Sequence, residues 1–249
     1  MAKQSGLGDG LLVGGYNLSG DIGSISRIGG GPAALVVTGI DKSAFERIGG
    51  VRDGEIAYDS WFNDAAGASH PVHAALPTAN TLVSYLRSTT IGKPSAVCLA
   101  KQVNYDGTRG EDGSLSFTIQ ALANGYGVEW GTQVTAGVRS DTEATNGAAV
   151  DFAAGTSFGL QAYLQVTAFT GTDATIKLQE SSDDDADTYA DVTGGGFTQI
   201  TAGPTFQRIA TATNLTVERY LRVVTVTSAG FSALSFQVTV VRNLAAPEF

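Results

Sequence analysis

Leu160-Gln161-Ala162-Tyr163-Leu164-Gln165-Val166-Thr167-Ala168-Phe169 decides the fold class. Leu160, Ala162, Leu164, Val166 and Ala168 alternate with more polar neighbours. A period of two is the signature of a strand with one face buried. The same rhythm returns in Ala174, Ile176 and Leu178, and in Leu234, Phe236, Val238 and Val240. Tyr220 to Val226 is a further strand, apolar on both sides. Turn signals punctuate these runs at Gly171-Thr172-Asp173, Gly194-Gly195-Gly196, Gly203-Pro204 and Ser228-Ala229-Gly230. Short strands with such punctuation predict an antiparallel sandwich or barrel.

Working toward the N-terminus, Leu11-Leu12-Val13, residues 22–28, 34–40, 55–62 and 95–105 read as strands. Leu115, Phe117 and Ile119 alternate clearly with Ser116, Thr118 and Gln120. One segment reads as a helix: Leu82, Val83 and Leu86 follow Thr78 or Asn80 as a cap. A small, polar stretch at 140–156 reads as a crossing between cores. The expected fold is therefore all-β, with an N-terminal barrel or sandwich over residues 1–145 carrying one short helix. A C-terminal β-sandwich follows over 156–249.

Composition agrees. The chain has 249 residues, 32 of them glycine, and is rich in Val, Thr, Ser and Ala. Valine and threonine suit a pleated sheet, and glycine supplies the positive φ of tight turns. The net charge of −9 argues against a protein that grips nucleic acid through its phosphates. Cys98 stands alone, so there is neither an intrachain disulfide nor a cysteine metal cluster. No apolar run approaches the ~18 residues of a membrane span. Residues 1–6 show no apolar signal region, so synthesis in a cytoplasm is expected.

The candidates for chemistry are weak. His70-Pro71-Val72-His73 lacks a third ligand, and its proline argues against a helical turn, so loop histidines are expected. Asp183, Asp185 and Asp187 resemble the start of a calcium loop, but Thr188 and Gly194 stand where Gly and Glu are needed. Gly29-Gly30-Gly31-Pro32 leads into a strand-like run, not the helix a phosphate cradle requires. The recurrence of Arg27-Ile28-Gly29-Gly30 as Arg47-Ile48-Gly49-Gly50 reads as turn chemistry. No nucleophile elbow is present, and Asn17-Leu18-Ser19 and Asn214-Leu215-Thr216 are sequons without a secretory context. No catalytic, cofactor-binding or metal residues are assigned.

A resemblance covers roughly residues 10–140. Ala34 to Ile40, Ala44-Phe45-Glu46-Arg47, Arg52-Asp53-Gly54-Glu55-Ile56-Ala57-Tyr58 and Trp61-Phe62-Asn63 resemble tail tube (major tail) proteins of long-tailed bacteriophages. His73-Ala74-Ala75-Leu76, Val83-Ser84-Tyr85-Leu86-Arg87, residues 100–106 and Glu129-Trp130-Gly131 fit the same order. Residues 177–183, 189–192 and 220–223 resemble a β-sandwich module appended to virion proteins.

This resemblance implies a structural protein of the virion tail, made in the host cytoplasm, with no enzymatic activity. It implies stacked, hexameric rings of this chain around a channel for DNA. Its other partners would be the tape measure and further tail proteins. It also implies a long loop reaching the next ring. Residues 41–54 are the candidate, with Phe45 and Ile48 as apolar anchors among Arg47, Arg52 and other charges. Residues 1–150 carry 10 basic and 14 acidic side chains, and the rest 5 and 10. An acidic lumen that lets DNA slide is the corresponding expectation. Rival readings are a capsid decoration or tail-tip protein, a carbohydrate-binding module, and a hydrolase with loop carboxylates.

Overall fold

The computed structural model describes residues 5–185 and 188–246. Its strands begin with β1 (Gly10–Val13), β2 (Tyr16–Asn17), β3 (Ile22–Val36) and β4 (Arg47–Trp61). The helix α1 (Ser69–His73) precedes β5 (Thr81–Leu86), β6 (Pro94–Gln102), β7 (Asp106–Arg109) and β8 (Leu115–Ala123). Then come β9 (Glu129–Gln133), β10 (Arg139–Asp141), β11 (Asn146–Asp151), β12 (Leu160–Gly171) and β13 (Thr175–Ser181). The last four are β14 (Ala190–Gly196), β15 (Thr205–Ala210), β16 (Tyr220–Val226) and β17 (Phe231–Arg242). The protein is all-β with antiparallel pairing, and among the described residues no sheet closes into a barrel.

Two compact units share the chain in alternating pieces. The first is Met1–Gly20, Ser84–Val97 and Trp130–Phe249; the second is Asp21–Val83 and Cys98–Glu129. The sequence suggests a single cut between 145 and 156. In the structure, residues 1–20 and 84–97 supply strands to the sheet that holds β12 and β17. The supposed linker at 140–156 is also structured. Asp141 ends β10 against Leu234, and Ala149 to Asp151 pair with Arg222 to Tyr220 in β16. Small residues allow this close pairing while offering little hydrophobic signal.

In the first unit, β12 lies between β15 and β17, and β11-β16-β13-β14 form a second sheet. Leu160, Leu164, Val166, Phe236, Val238, Ile176, Leu178, Leu221 and Val223 fill one core between them. This is the sandwich that the alternation predicts. The opposite face of β12 and β17 differs from expectation. Tyr163, Gln165, Gln237 and Thr239 are fully buried, although alternation alone would leave them facing water. Gln165 explains how. Its Oε1 accepts from the Gly15 N–H at 2.6 Å, and its Nε2 donates to Leu12 O and Ser84 Oγ. Gly15 sits so close to Thr205 and Val166 that a Cβ there would lie under 3 Å from their backbones. Gln237 donates to Thr239, whose hydroxyl donates to Ser95. Buried polar groups are tolerated when they are bonded in this way, and of these side chains the Gln237 amide oxygen alone is left without a partner among the described residues.

In the second unit, β4 pairs with β3 on one side and with β8 on the other, and β8 also pairs with β7 and with Ala100 to Gln102 of β6. Ile56, Tyr58, Ile119, Ala121, Leu82 and Val83 are buried there. The helix expected from Leu82, Val83 and Leu86 is instead strand β5. Its residues are buried on both faces, so the apolar side chains have no period to reveal the strand. The helix that does form is the His70-Pro71-Val72-His73 segment, read from sequence as a loop. Pro71 falls in its first turn, where the missing N–H has no intrahelical partner to lose. The carboxylate of Asp21 accepts from the Ser69 N–H at that end.

Candidate assembly surface

β3 and β4 form a hairpin with two different halves. In the half near its base, residues 55–61 of β4 are backed by β8, and Ile56, Ala57 and Tyr58 are buried. Beyond Gly54 the hairpin has no third strand among the described residues. The change falls where the backbones come closest. A Cβ on Gly30 would lie 2.4 Å from Asp53 O, and one on Gly54 would lie 2.6 Å from Val128 N. Only glycine fits such an approach.

The far half, residues 31–53, is a two-stranded arm. Ala34, Leu35 and Val36 face Gly49, Ile48 and Arg47, with a register shift between Pro32 and Ala34. The tip closes through the Glu46 N–H donating to Thr38 Oγ1 at 2.9 Å, and the Val37 N–H donating to Glu46 O at 2.9 Å. The loop expected over 41–54 is thus a tip followed by strand. Its charges and glycines mask a pairing that the partner strand imposes.

The arm exposes apolar side chains that the described residues leave about half or more uncovered. Phe45 is 71% exposed and Val51 85%, Ile40 is fully exposed, and Leu35, Val36, Val37 and Ile48 are each about half exposed. Isolated surface apolar groups are ordinary, but seven on one short ribbon make it the candidate interaction surface. Of the anticipated residues, Phe45 and Arg47 come together, the guanidinium 5.1 Å from the ring centroid. Ile48 is the next residue on β4, opposite Leu35, and Arg52 lies further along opposite Pro32. Neither Arg47 nor Arg52 has a carboxylate partner among the described residues, whereas Arg27 pairs with Glu55 at 3.0 Å and Lys42 with Glu46 at 3.4 Å. Sequence reading missed Leu35, Val36, Val37, Ile40 and Val51. A signal was present: Ala33 to Val37 lacks polar alternation, yet glycine and charge flank it.

The other candidates resolve into structural roles. Gln102 donates its amide N–H groups to His73 O and Asn104 O, which leaves its Oε1 to accept from His73 Nδ1 at 3.0 Å. That network assigns the proton to Nδ1, and Nε2 then faces the Tyr58 hydroxyl at 3.4 Å. Burial holds the His73 pKa below its ordinary value, opposed by the Gln102 bond. Burial also pushes the Cys98 thiol up to about 12, which keeps it protonated and unreactive. Asp183 accepts from Thr188 Oγ1, the Asp185 N–H and Ser181 Oγ, which lower its pKa. Asp187 lies outside the described residues. Among the described residues no group of three His, Cys, Asp or Glu side chains could hold a metal ion. The Gly29-Gly30-Gly31-Pro32 run lies inside β3, with no helix after it.

No protein-family model matches this chain, and no curated protein matches it. Solved structures do show likeness. A chain from the virion of a native gene transfer agent particle is 16% identical, with a TM-score of 0.40, over 50% of this chain and 96% of that one. The Dit protein of SPP1 is described as a paradigm of the hub adsorption apparatus in phages infecting Gram-positive hosts. It is 9% identical at a TM-score of 0.33, over 94% and 99% of the two chains. A chain of the phage p2 baseplate in its activated conformation with strontium is 10% identical at 0.34, over 94% and 98%. At these scores the likeness establishes neither a common overall fold nor a common role.

Proposed function

We propose that this chain is a structural subunit of a bacteriophage tail tube that assembles with copies of itself into stacked, hexameric rings around a channel for DNA. The observation that carries this reading is the arm. A two-stranded ribbon bearing Leu35, Val36, Val37, Ile40, Phe45, Ile48 and Val51 in water is costly for a lone molecule, and contact with another subunit removes that cost. The arm falls within the segment that resembles tail tube proteins, where a reaching element is implied. Phe45, Arg47, Ile48 and Arg52 are proposed as contacts between rings. Residues 156–249 are proposed to decorate the outside of the tube, and the tape measure and other tail proteins to be its further partners. The chain has no catalytic role in this scheme. Acidic side chains face the lumen, where like charge keeps DNA from adhering.

Negative-stain electron microscopy with sedimentation velocity tests the proposal. Rings or tubes that form with rising concentration are expected. A monomer that persists at the highest soluble concentration overturns it. Discs that cap a tail end without stacking would move the chain to the tail tip.

A further inference from the structure

The arm carries apolar groups on both of its faces, and this says how a partner must meet it. In an antiparallel ladder, paired residues stand on the same face and successive residues on opposite faces. Leu35 is paired with Ile48, and Val36 with Arg47. One face therefore presents Leu35 and Ile48, joined by Val37 two residues on. The other presents Val36 and Arg47, with Phe45 under the Arg47 guanidinium. Leu35, Val36, Val37 and Ile48 are all about half exposed, so neither face is the covered one. A single flat partner surface can bury one face of a ribbon and must leave the other in water. We infer that the arm seats in a slot between two other copies of this chain, with both faces covered and carboxylates of those copies reaching Arg47 and Arg52.

Charge agrees with this same chain as the occupant. Arg47 and Arg52 lack carboxylate partners among the described residues, while the chain as a whole carries −9. The arm itself is neutral, Lys42, Arg47 and Arg52 balancing Asp41, Glu46 and Asp53, so what the acidic copies of this protein offer is carboxylates for the two guanidiniums that lack them. The inference rests on the self-assembly proposed above and adds its geometry, one arm touching two neighbours. It also accounts for the absence of polar alternation in Ala33 to Val37, since a strand covered on both faces needs none.

Two single substitutions test it, one per face: Ile48→Glu, and Val36→Lys, whose charge the opposite Arg47 cannot neutralise. Both positions lie beyond the last contact of the hairpin with β8, so circular dichroism and thermal melting should match the wild-type chain. If the slot exists, each substitution alone reduces the assembled fraction at least about tenfold, because each buries a charge with no partner on the arm. A photo-crosslinking residue at 35 and at 36 should also capture two different segments of neighbouring copies. Assembly that survives either substitution, or crosslinks from both positions to one segment, overturns the slot. If the wild-type chain assembles and both substituted chains assemble equally well, the arm is not the contact, although the ring reading stands. If the wild-type chain never assembles, both fall. The double change Arg47→Gln/Arg52→Gln should weaken assembly severalfold and flatten its salt dependence. An unchanged salt dependence removes the carboxylates from the slot.

Discussion

The sandwich formed by β11 to β17 and the arm formed by the far half of β3 and β4 use the same apolar residues to opposite ends. In the sandwich, Leu164, Ile176, Val223 and Phe236 are completely buried. In the arm, Leu35, Val36, Ile48 and Phe45 stand in water. The difference is not one of composition but of what lies behind the strand. Each strand of the sandwich faces a second layer, whereas among the described residues the arm beyond Gly54 has only its own two strands. A two-stranded ribbon is marginal by itself, and such apolar content is kept where a partner completes the packing. On the proposed reading, stability belongs to the sandwich and assembly to the arm.

The largest effect that could break this contrast is in the sandwich. Phe236→Ala removes a fully buried ring from the shared core. We expect a loss of about 3–5 kcal/mol in denaturant unfolding, with assembly lost through unfolding. A loss below about 1 kcal/mol would mean that the core does not depend on this packing. Next in size is Gln165→Ala, on the other face of the same strand. It strands the Gly15 N–H and two further partners in a buried site. The expected cost is about 1–3 kcal/mol, and Gln165→Leu should rescue little, because the unpaired backbone groups remain.

How much of this was legible follows the same line. Where one face is wet or one core is shared, period two is visible, and 160–169, 174–178 and 234–240 were read correctly as strands. Where a strand is buried on both faces, the period disappears, and β5 was read as a helix. The polar face of β12 shows the converse. Gln165 alternates as a solvent residue would, yet it is buried because three partners satisfy its amide, and those partners lie 81 to 153 residues away in sequence. No local pattern encodes such distant hydrogen bonds. The arm was half legible. Phe45 and Ile48 stood out because charges frame them, but Leu35, Val36 and Val51 looked like ordinary strand or turn residues. The helix at Ser69–His73 is obscured in the sequence because Pro71 breaks a helix interior but is tolerated in the first turn, and sequence alone does not show which turn it occupies.

A smaller and pH-dependent effect sits at the base of the hairpin, where His73 meets Tyr58 of β4. Burial lowers the folded-state pKa of His73, so folding favours the neutral ring. The resulting stability is fully present above the unfolded value of about 6.5 and is lost as pH falls toward the lower folded value. Protonation also gives Nε2 a hydrogen where it should accept from the Tyr58 hydroxyl. Unfolding free energy should thus fall on acidification below about pH 6.5, by at most ~1.4 kcal/mol per pH unit from this group. His73→Gln should remove that slope from the pH profile. An identical slope in the substituted chain would assign it to other groups.

The smallest effect gives the sharpest version of the comparison, because it makes one chemical change in both regions. Ile176→Val deletes a methylene from a fully buried position in the sandwich. It should cost about 0.5–1.5 kcal/mol of stability. Ile48→Val deletes the same group from a half-exposed position on the arm. Little packing is lost there, so the unfolding free energy should stay within about 0.5 kcal/mol of the wild-type value. Assembly should reverse the ranking. Ile176→Val leaves the arm intact, so its critical concentration should match that of the wild-type chain wherever the fold is retained. Ile48→Val should raise the critical concentration in sedimentation, because the methylene it lacks is buried only when a second subunit arrives. If the two substitutions ranked alike in both measurements, the arm would be an ordinary surface ribbon, and the division between stability and assembly would fail at the residue where it is easiest to measure.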